Sequence, residues 1–494
     1  RFAFETNPII SYLDLGDPNT ATNFGRVESD YRLYSQFGKL NYSYDGKYLV
    51  QFILRNDGSS RFLAASRNAT FPAFSLGWRL SDEAAVAEAL PIVSDMKLRY
   101  GWGKTGNQLI GDYNAYTTYR SNIFNAGYPI DGSTTTPSLG FDAQRFGNPN
   151  ARWETTTSNN IGLDIELMDG KYFFELDLWN RVTSDMLFQT PINYGHGDAT
   201  APFFNVGQMT NKGIDLNLGL DDTAMGGELS YGVSANFSMY RNNVDNLAEN
   251  EDNVLFGTST RVPSVTITQS GYPISSFFGY NNLGIFQTQE EVDAHPAYGN
   301  YNAVGKFKVQ DVNEDGVITD ADRTIIGNPH PDFVYGINLN LGYKNWDLAI
   351  FGNGSVGNDI FNYINYWTDF NTFQGNKSKT ALYDAWQPSN PTGTFPIMDI
   401  NDQVSSRPSS YFVEDGSYFR MRNVQLTYNL SEALLNNIGM SRASIYFQGQ
   451  NLFTITKYTG TNPEIQTGSN NTVGFDGGYM PISRNLILGV NVTF

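Results

Sequence analysis

The amino-acid sequence predicts an all-β protein, namely a transmembrane antiparallel β-barrel with long extracellular loops. The clearest observation is the C-terminal segment, Met480 to Phe494, in which apolar residues alternate with small or polar ones. Because a strand has a period of two, one face of this segment can meet lipid while the other meets a water-filled lumen. The apolar face consists of Ile482, Leu486, Leu488, Val490, Val492 and Phe494. Repeated hairpins and uneven connections extend the prediction to the whole chain.

The composition favours strands rather than helices as membrane-crossing elements. Mean hydropathy is −0.37, and no stretch approaches the ~20 apolar residues that a spanning helix needs. Aromatic residues make up 14% of the chain, which is typical of a barrel with aromatic girdles. The net charge of −18 argues against a nucleic-acid partner, because phosphate binding needs clustered Lys and Arg. The chain has no cysteine, which excludes disulfides, thiolate metal sites and Cys nucleophiles.

Hairpins recur along the chain. One runs from Leu40 to Leu54 around Asp45-Gly46, and a second runs from Ile161 to Leu178 around Asp169-Gly170. An Asp-Gly dipeptide between alternating apolar runs is a strong signal for a tight hairpin turn. The most regular strand, Phe333 to Tyr343, is followed after two residues by another. Counted in this way, the chain holds about 14 strand candidates.

The connections between these strands differ in length. The short ones lie at the two Asp-Gly turns, at Asp221 to Gly227 and at Lys344-Asn345. The long ones cover about Asp57 to Thr70, Arg181 to Gln208, Asn242 to Pro331, Asn358 to Asp415 and Lys457 to Gly478. Short turns at one rim and long loops at the other are typical of an outer-membrane barrel. A soluble β-sandwich would have more even spacing.

Many blocks of the sequence, in order, resemble one known family. A typical block is Met96-Lys-Leu-Arg-Tyr-Gly-Trp-Gly-Lys-Thr-Gly-Asn107. The others include Gly38 to Tyr48, Arg55 to Phe62, Phe71 to Trp78, Trp153 to Thr157, Asn205 to Gly213, Asp311 to Gly316, Ile326 to Gly336 and Gln450 to Gly460. These blocks resemble the SusC/RagA class of TonB-dependent outer-membrane transporters of Bacteroidetes-like bacteria.

The resemblance implies a barrel of about 22 strands that is closed by an N-terminal plug and imports glycans or peptides. It also implies a SusD-like surface lipoprotein as a lid, the TonB complex as energy source, outer-membrane lipid around the wall, and a possible dimer of SusCD-like pairs. Nothing in the sequence resembles the plug, the TonB-contacting segment or the first barrel strands. We therefore expect residues 1–494 to be the C-terminal part of the barrel, with about 14 of its strands.

A calcium-binding loop is the best local chemical motif. The segment from Asp311 to Asp322 has oxygen-bearing residues at the spacing of such a loop, with Gly316 at the sharp turn. The predicted ligands are Asp311, Asn313, Asp315, Val317 through its carbonyl, Thr319 and Asp322. Ile318 would anchor the loop to apolar neighbours. We expect a structural Ca²⁺ that holds the long loop, and the alternative is an acidic turn that caps itself through Asx hydrogen bonds.

One aromatic cluster in a long loop is a candidate for substrate contact. It comprises Tyr363, Tyr366, Trp367 and Phe370 within one long loop. Such rings could stack on sugars or pack around a peptide. The alternative is that they pack the loop against itself or against a lid protein.

The combined prediction is an outer-membrane importer of bulky nutrients that works with a SusD-like lid and TonB. Two alternatives remain open: a SusC-like barrel that acts as a structural scaffold in a larger complex, and an ungated porin. We expect no catalytic residues, because the sequence pairs no two of its many carboxylates at a separation suited to acid–base work. The segment Gly352 to Gly357 fits a dinucleotide-binding glycine pattern, but no helix of a βαβ unit follows it.

Overall fold

A computed structural model of the chain describes residues 31–120, 127–130, 132, 138–189, 197, 199–247, 254–257, 261–371, 375–431, 433, 435, 440–465 and 469–494. Its main feature is one antiparallel sheet of thirteen long strands, each paired with its neighbours in chain order. The strands are β1 (Leu33–Tyr44), β2 (Tyr48–Ser59), β3 (Asn68–Arg79), β4 (Val93–Asn107), β5 (Glu154–Leu167), β6 (Tyr172–Ser184), β7 (Gln208–Ala224), β8 (Leu229–Asn246), β9 (Phe333–Tyr343), β10 (Trp346–Val356), β11 (Tyr418–Asn429), β12 (Arg442–Thr456) and β13 (Asn485–Thr493). We call this sheet the wall. Its strand number is close to the ~14 expected from the sequence.

The connections form two alternating sets, which we call short and long. The short ones cover residues 45–47, 80–92, 168–171, 225–228, 344–345 and 430–441, and the long ones cover 60–67, 108–153, 185–207, 247–332, 357–417 and 457–484. Every long connection except 60–67 has more residues than any short one. Because neighbouring strands are antiparallel, all short connections lie at one end of the wall and all long ones at the other. The predicted asymmetry is therefore confirmed, with one addition. The connection 108–153 is also long, although the sequence did not single it out.

The tight turns have the backbone that their residues favour. Asp45 and Gly46 have φ of 55° and 63°, and Asp169 and Gly170 have φ of 57° and 85°. Positive φ at both central positions matches the right-handed twist of the flanking strands, and Asp-Gly adopts it at low cost. These turns fix the register, so Tyr44 lies opposite Tyr48 and Leu167 opposite Tyr172.

The two faces of the wall differ as the alternation predicts. On the outer face, apolar side chains are exposed on adjacent strands and lie opposite one another, as Leu488 does with Phe447 and Val490 with Ile445. The inner face is polar. There Arg99 on β4 forms ion pairs with Asp164 on β5 at 2.6 Å and with Asp177 on β6 at 3.1 Å.

The long connections contain their own secondary structure. Small β-strands lie at Thr118–Arg120, Gly127–Tyr128, Ser138–Leu139, Asp142–Arg145, Leu187–Gln189, Phe203–Asn205, Val254–Phe256, Thr266–Gln269, Ser276–Gly279, Asn282–Ile285, Phe307–Val309, Thr324–Gly327, Asp359–Asn362, Val413–Asp415 and Phe475–Asp476. In these connections, short α-helices lie at Gln289–Ala294, Ile364–Thr368 and Lys379–Tyr383, and 3₁₀ turns lie at Asp320–Asp322 and Ser410–Phe412. The short connections hold the α-helix Ala84–Ala89 and the 3₁₀ turns Leu80–Asp82 and Met225–Gly227. In the described part of the chain, no helix is both long and apolar enough to cross a membrane.

The buried clusters lie mainly in the long connections, which we together call the loop layer, and include strand residues such as Phe71 and Val244. The largest cluster includes Phe277, Phe361, Phe395 and Phe412, each at most 2% exposed. These residues come from the connections 247–332 and 357–417. The last connection joins them, because Phe361 pairs with Phe475 and the Thr266 hydroxyl donates to the Asn471 carbonyl at 2.6 Å. The connections 247–332, 357–417 and 457–484 thus pack as one unit.

Candidate functional site

A cavity of about 270 Å³ with a mixed polar and apolar lining lies in the loop layer. Its walls come from the strand Asn282–Ile285, from residues 298–309 and from residues 399–409. The lining side chains are mostly amides, hydroxyls and carboxylates, together with Tyr298 and Tyr301. We call it the loop pocket.

One cation and two carboxylates form the charged part of the loop pocket. The Lys306 ammonium donates to Asp399 at 2.9 Å and to Asp402 at 2.7 Å. Asp402 also accepts from the backbone N–H groups of Val404 and Ser405, both at 2.9 Å. Burial raises the pKa of Asp402, but Lys306 and these N–H donors outweigh it and leave the pKa below its ordinary value. At neutral pH the pocket therefore holds an ion-paired network without an unpaired cation.

Two tyrosines shape the apolar side of the loop pocket. The ring of Tyr298 is buried and meets the ring of Tyr301 edge to face at 5.8 Å. Its hydroxyl accepts from Arg407 at 2.9 Å. Tyr301 is 42% exposed. The buried ring therefore supports a second ring that is open to a ligand.

The Asp311–Asp322 loop packs behind this wall. The Ile318 N–H donates to the Ala297 carbonyl at 2.7 Å, directly before Tyr298 in the chain. Ile318 is buried with Tyr280, Tyr298 and Val309, as the sequence predicted for an anchoring residue. The Tyr280 hydroxyl donates to Asp320 at 2.7 Å. The predicted calcium loop and the loop pocket thus share one small core.

The backbone of the loop wraps around its carboxylates. The two Asp311 oxygens each accept one N–H, from Glu314 and from Gly316, both at 2.8 Å. Gly316 has φ of +85°, which explains the glycine at this turn. Asn313 and Asp315 accept from the N–H groups two residues ahead of them. These are the Asx hydrogen bonds expected of an acidic turn that caps itself. A carboxylate has about four acceptor positions, however, so positions remain that could bind a cation.

Asp322 closes the loop from its far end. It is fully buried and accepts N–H bonds from Val312 at 2.9 Å and from Thr319 at 2.7 Å. Burial raises the pKa of Asp322, while the backbone donors, led by Thr319, bring it below its ordinary value. Among the described residues Asp322 forms no ion pair with a cationic side chain. The carboxylate is thus held charged in a buried position next to Asp311.

The predicted ligands of the Asp311–Asp322 loop are of the chemical type that binds a cation. Asp311, Asn313, Asp315, Val317, Thr319 and Asp322 all supply the oxygen atoms that calcium prefers. In the described part of the chain, however, no three His, Cys, Asp or Glu side chains form a group that could hold a metal ion. The calcium loop therefore stays a prediction.

The aromatic cluster predicted to meet substrate lies mainly inside the loop layer. Tyr363, Tyr366 and Phe370 are buried in the largest core, and Trp367 packs against it partly exposed. Tyr363 and Tyr366 stack at 5.2 Å. Packing of the loop against itself accounts for these contacts, so any substrate contact would have to go through Trp367. Their role in substrate binding stays a prediction.

The sequence did not indicate the loop pocket. Lys306 lies 93 and 96 residues before Asp399 and Asp402, and the three show no local motif. It also gave no partner for Arg420 and Arg422, which both form ion pairs with Glu464 of the last connection. Arg420 is 3% exposed on its side chain. In both cases the sequence shows charged residues in or beside a long loop, which does not identify their partners.

Comparison with known proteins shows one consistent relationship. The family model described as a TonB dependent receptor-like β-barrel matches residues 3–358. TonB-dependent receptor P3 of Formosa agariphila is 30% identical over 502 residues, which cover 100% of this chain and 48% of that protein. TonB-dependent receptor SusC of Bacteroides thetaiotaomicron is 29% identical over 482 residues, which cover 94% and 44%. The chain therefore spans about half the length of the curated relatives that it matches.

Solved structures show the same relationship. The RagAB peptide importer in its closed-closed state matches with a TM-score of 0.78 and 25% identity, covering 99% of this chain and 50% of that chain. The open-open state matches with a TM-score of 0.77. The match includes the loop layer as well as the wall, because it covers nearly the whole chain. The chain belongs to the TonB-dependent receptor β-barrel family, is SusC/RagA-like, and has its place in the outer membrane.

Proposed function

We propose that this chain forms the C-terminal barrel part of an active outer-membrane importer of bulky nutrients, glycans or peptides. The observation that carries the proposal is the packed loop layer above the wall, which matches the RagAB peptide importer together with the wall. In a channel that passes small solutes without selection, such a layer would have no cargo to bind. A layer with four buried clusters among the described residues suits a rigid binding surface instead.

The mechanism in this proposal has three steps. Cargo binds to the loop layer on the outside, where a SusD-like lipoprotein closes over it. The polar inner face, including Lys97, Arg99, Asp164 and Asp177, gives the cargo a wet path through the wall. TonB opens that path by displacing a plug that comes from residues preceding this chain. In this proposal the protein transports cargo and performs no catalysis. Two pairs, each of one SusC-like barrel and one SusD-like lid, would associate as a dimer.

The test is energised uptake. Cells that carry the transporter should accumulate cargo, and removal of TonB or of the proton gradient should abolish the accumulation. Uptake that continues without energy would identify an ungated porin. A protein that never moves cargo but keeps a large complex intact would identify the scaffold. Single-channel conductance provides a second readout, because a plugged barrel is nearly silent.

We further propose that the Asp311–Asp322 loop binds one structural Ca²⁺. The support is the set of oxygen ligands at matching positions, the positive φ of Gly316 and the buried, charged Asp322 without a cationic partner among the described residues. The ion would hold this loop against Tyr280 and Tyr298 and so stiffen one wall of the loop pocket.

A further inference from the structure

We propose that the loop pocket binds a neutral sugar unit, with Tyr301 as the stacking platform and an acceptor-rich wall for hydroxyl groups. This inference rests on the proposed import function and names the class of cargo that the loop layer contacts at this place. Neither the sequence motifs nor the family to which the chain belongs assigns a ligand to these residues.

The size of the cavity sets the first limit. At about 270 Å³ it lies just below the range of ~300–1,000 Å³ that accommodates drug-sized ligands. It therefore accepts one ring or a similar group of a longer molecule rather than the whole of a bulky cargo. Such a pocket is a subsite on the surface of the loop layer.

The charges exclude an anionic ligand. The one cation of the lining, Lys306, is 14% exposed on its side chain and bonds to two carboxylates. A phosphate or carboxylate ligand would have to displace Asp399 or Asp402 and leave a buried charge unpaired, which is costly. The lining has two carboxylates and one ammonium, so it carries a net negative charge. A neutral ligand would leave the ion pairs of Lys306 intact and would leave no buried charge unpaired.

The hydrogen-bonding groups favour a ligand with many donors. The Asn282 amide nitrogen donates to Ser409 at 3.1 Å and the Asn302 amide nitrogen donates to Pro296 at 2.8 Å. These bonds fix both amides and leave their oxygens as acceptors. The half-exposed Asp399 adds carboxylate oxygens. A sugar offers a hydroxyl donor on nearly every ring carbon, whereas a peptide backbone offers one N–H per residue, so the acceptor-rich wall matches the sugar better.

The aromatic side completes the match. The ring face of Tyr301 carries the negative part of its quadrupole, which attracts the slightly positive C–H groups on the apolar face of a sugar. Tyr298 supports this ring edge to face and is held by Arg407. The platform is therefore preorganised, which lowers the entropy lost on binding.

The experiment is calorimetric titration of the purified full-length subunit with its co-purifying partners. The probes are neutral glucan, galactan and mannan oligosaccharides and, for comparison, an N-acetylated, C-amidated alanine peptide. At least one oligosaccharide should bind, and Tyr301→Ala should weaken it about tenfold. Asn401→Ala, which changes an exposed amide on the same wall, should also weaken it.

The matched control is Tyr272→Ala. Tyr272 lies in the same connection and is 44% exposed, against 42% for Tyr301, but does not line the pocket. It should leave binding unchanged. The inference is overturned if no oligosaccharide binds, if the blocked peptide binds in its place, or if Tyr301→Ala and Tyr272→Ala have equal effects.

Energised uptake separates this inference from the proposed function. If cells accumulate a cargo that binds independently of Tyr301, the import function stands and the sugar subsite is wrong. If cells accumulate no cargo with energy while oligosaccharide binding still depends on Tyr301, the subsite stands and the import function is wrong.

Discussion

The wall and the loop layer use the same apolar residue types in opposite ways. On the wall, Leu488 is 76% exposed and its partner Phe447 is also exposed. In the loop layer, Phe361 is 1% exposed and touches three other phenylalanine rings. The wall holds its shape through continuous backbone pairing and relies on lipid to cover its apolar face. The loop layer makes its own dry core. One chain therefore contains a membrane-solvated half and a water-solvated half, and they should respond differently to the same change.

The largest expected effect comes from a cavity in the loop core. Phe361→Ala should destabilise the loop layer by about 3–5 kcal/mol, because it removes a buried ring from a packed cluster. Hydrogen exchange measured by mass spectrometry should show lost protection in residues 262–277 and 469–476, with β12 and β13 still protected. The control Phe447→Ala, on the outer face of the wall, should change neither region. Equal loss of protection in both regions would show that the loop layer is not a separate cooperative unit.

A charged residue on the outer face of the wall tests whether lipid covers that face. Leu488→Arg should cost about 2–4 kcal/mol if this position lies near the bilayer midplane, because an arginine there must leave water. Gln448 occupies the inner face of β12, next to Asn423, so Gln448→Arg should cost much less. Urea titration of the folded protein in lipid vesicles measures both variants. Similar costs for the two would refute the assignment of faces.

Calcium should act on the loop layer alone. At a free Ca²⁺ concentration of about 100 Kd, binding should stabilise the folded layer by about 2.7 kcal/mol, seen as a higher melting temperature that a chelator reverses. Asp311→Asn should abolish the shift, because it removes a charged ligand. Asp293→Asn, an exposed carboxylate in the same connection, is the control and should keep the shift. A wild-type protein indifferent to Ca²⁺ would leave the self-capped acidic turn as the correct interpretation.

The smallest expected effect is a pH dependence of the loop pocket. The pKa of Asp402 lies below its ordinary value of 3.8 in the folded chain. Its contribution to stability is therefore fully present above about pH 4 and is lost as the pH falls through the lower, folded pKa. The loss should be about 1.4 kcal/mol for each unit by which the folded pKa of Asp402 lies below 3.8.

Hydrogen exchange of residues 399–409 below pH 4 measures this loss. Asp402→Asn should make the protection factors there, which correct for the intrinsic pH dependence of amide exchange, nearly independent of pH. Asp399→Asn, which changes the more exposed carboxylate, should leave most of the dependence in place. The pH argument is wrong if the two variants behave alike.

The sequence predicted the wall far better than the site, and the reason is physical. Alternation and Asp-Gly turns are local signals, so β13 and the hairpins around Asp45 and Asp169 appeared at the expected places with the expected faces. The loop pocket depends on Lys306 reaching Asp399 and Asp402, which belong to another connection. The direction in which a long loop folds back is set by tertiary contacts such as Phe361 with Phe475, and no local pattern records them.

The aromatic cluster also shows that local sequence patterns do not determine tertiary contacts. Tyr363, Tyr366 and Phe370 are close in sequence, so their proximity was predictable. Whether their rings face solvent or a core depends on Phe277, Phe395 and Phe412, which come from distant segments. A local aromatic pattern thus indicates that rings are near one another, but not which surface they cover.

The most direct test of the central account is mass spectrometry of the native complex extracted from the outer membrane in detergent. The account predicts that the polypeptide carrying this barrel also yields plug peptides from upstream of Arg1 and that a SusD-like lipoprotein accompanies it. A barrel polypeptide with neither a plug nor a lid would contradict the importer and favour a pore or a scaffold.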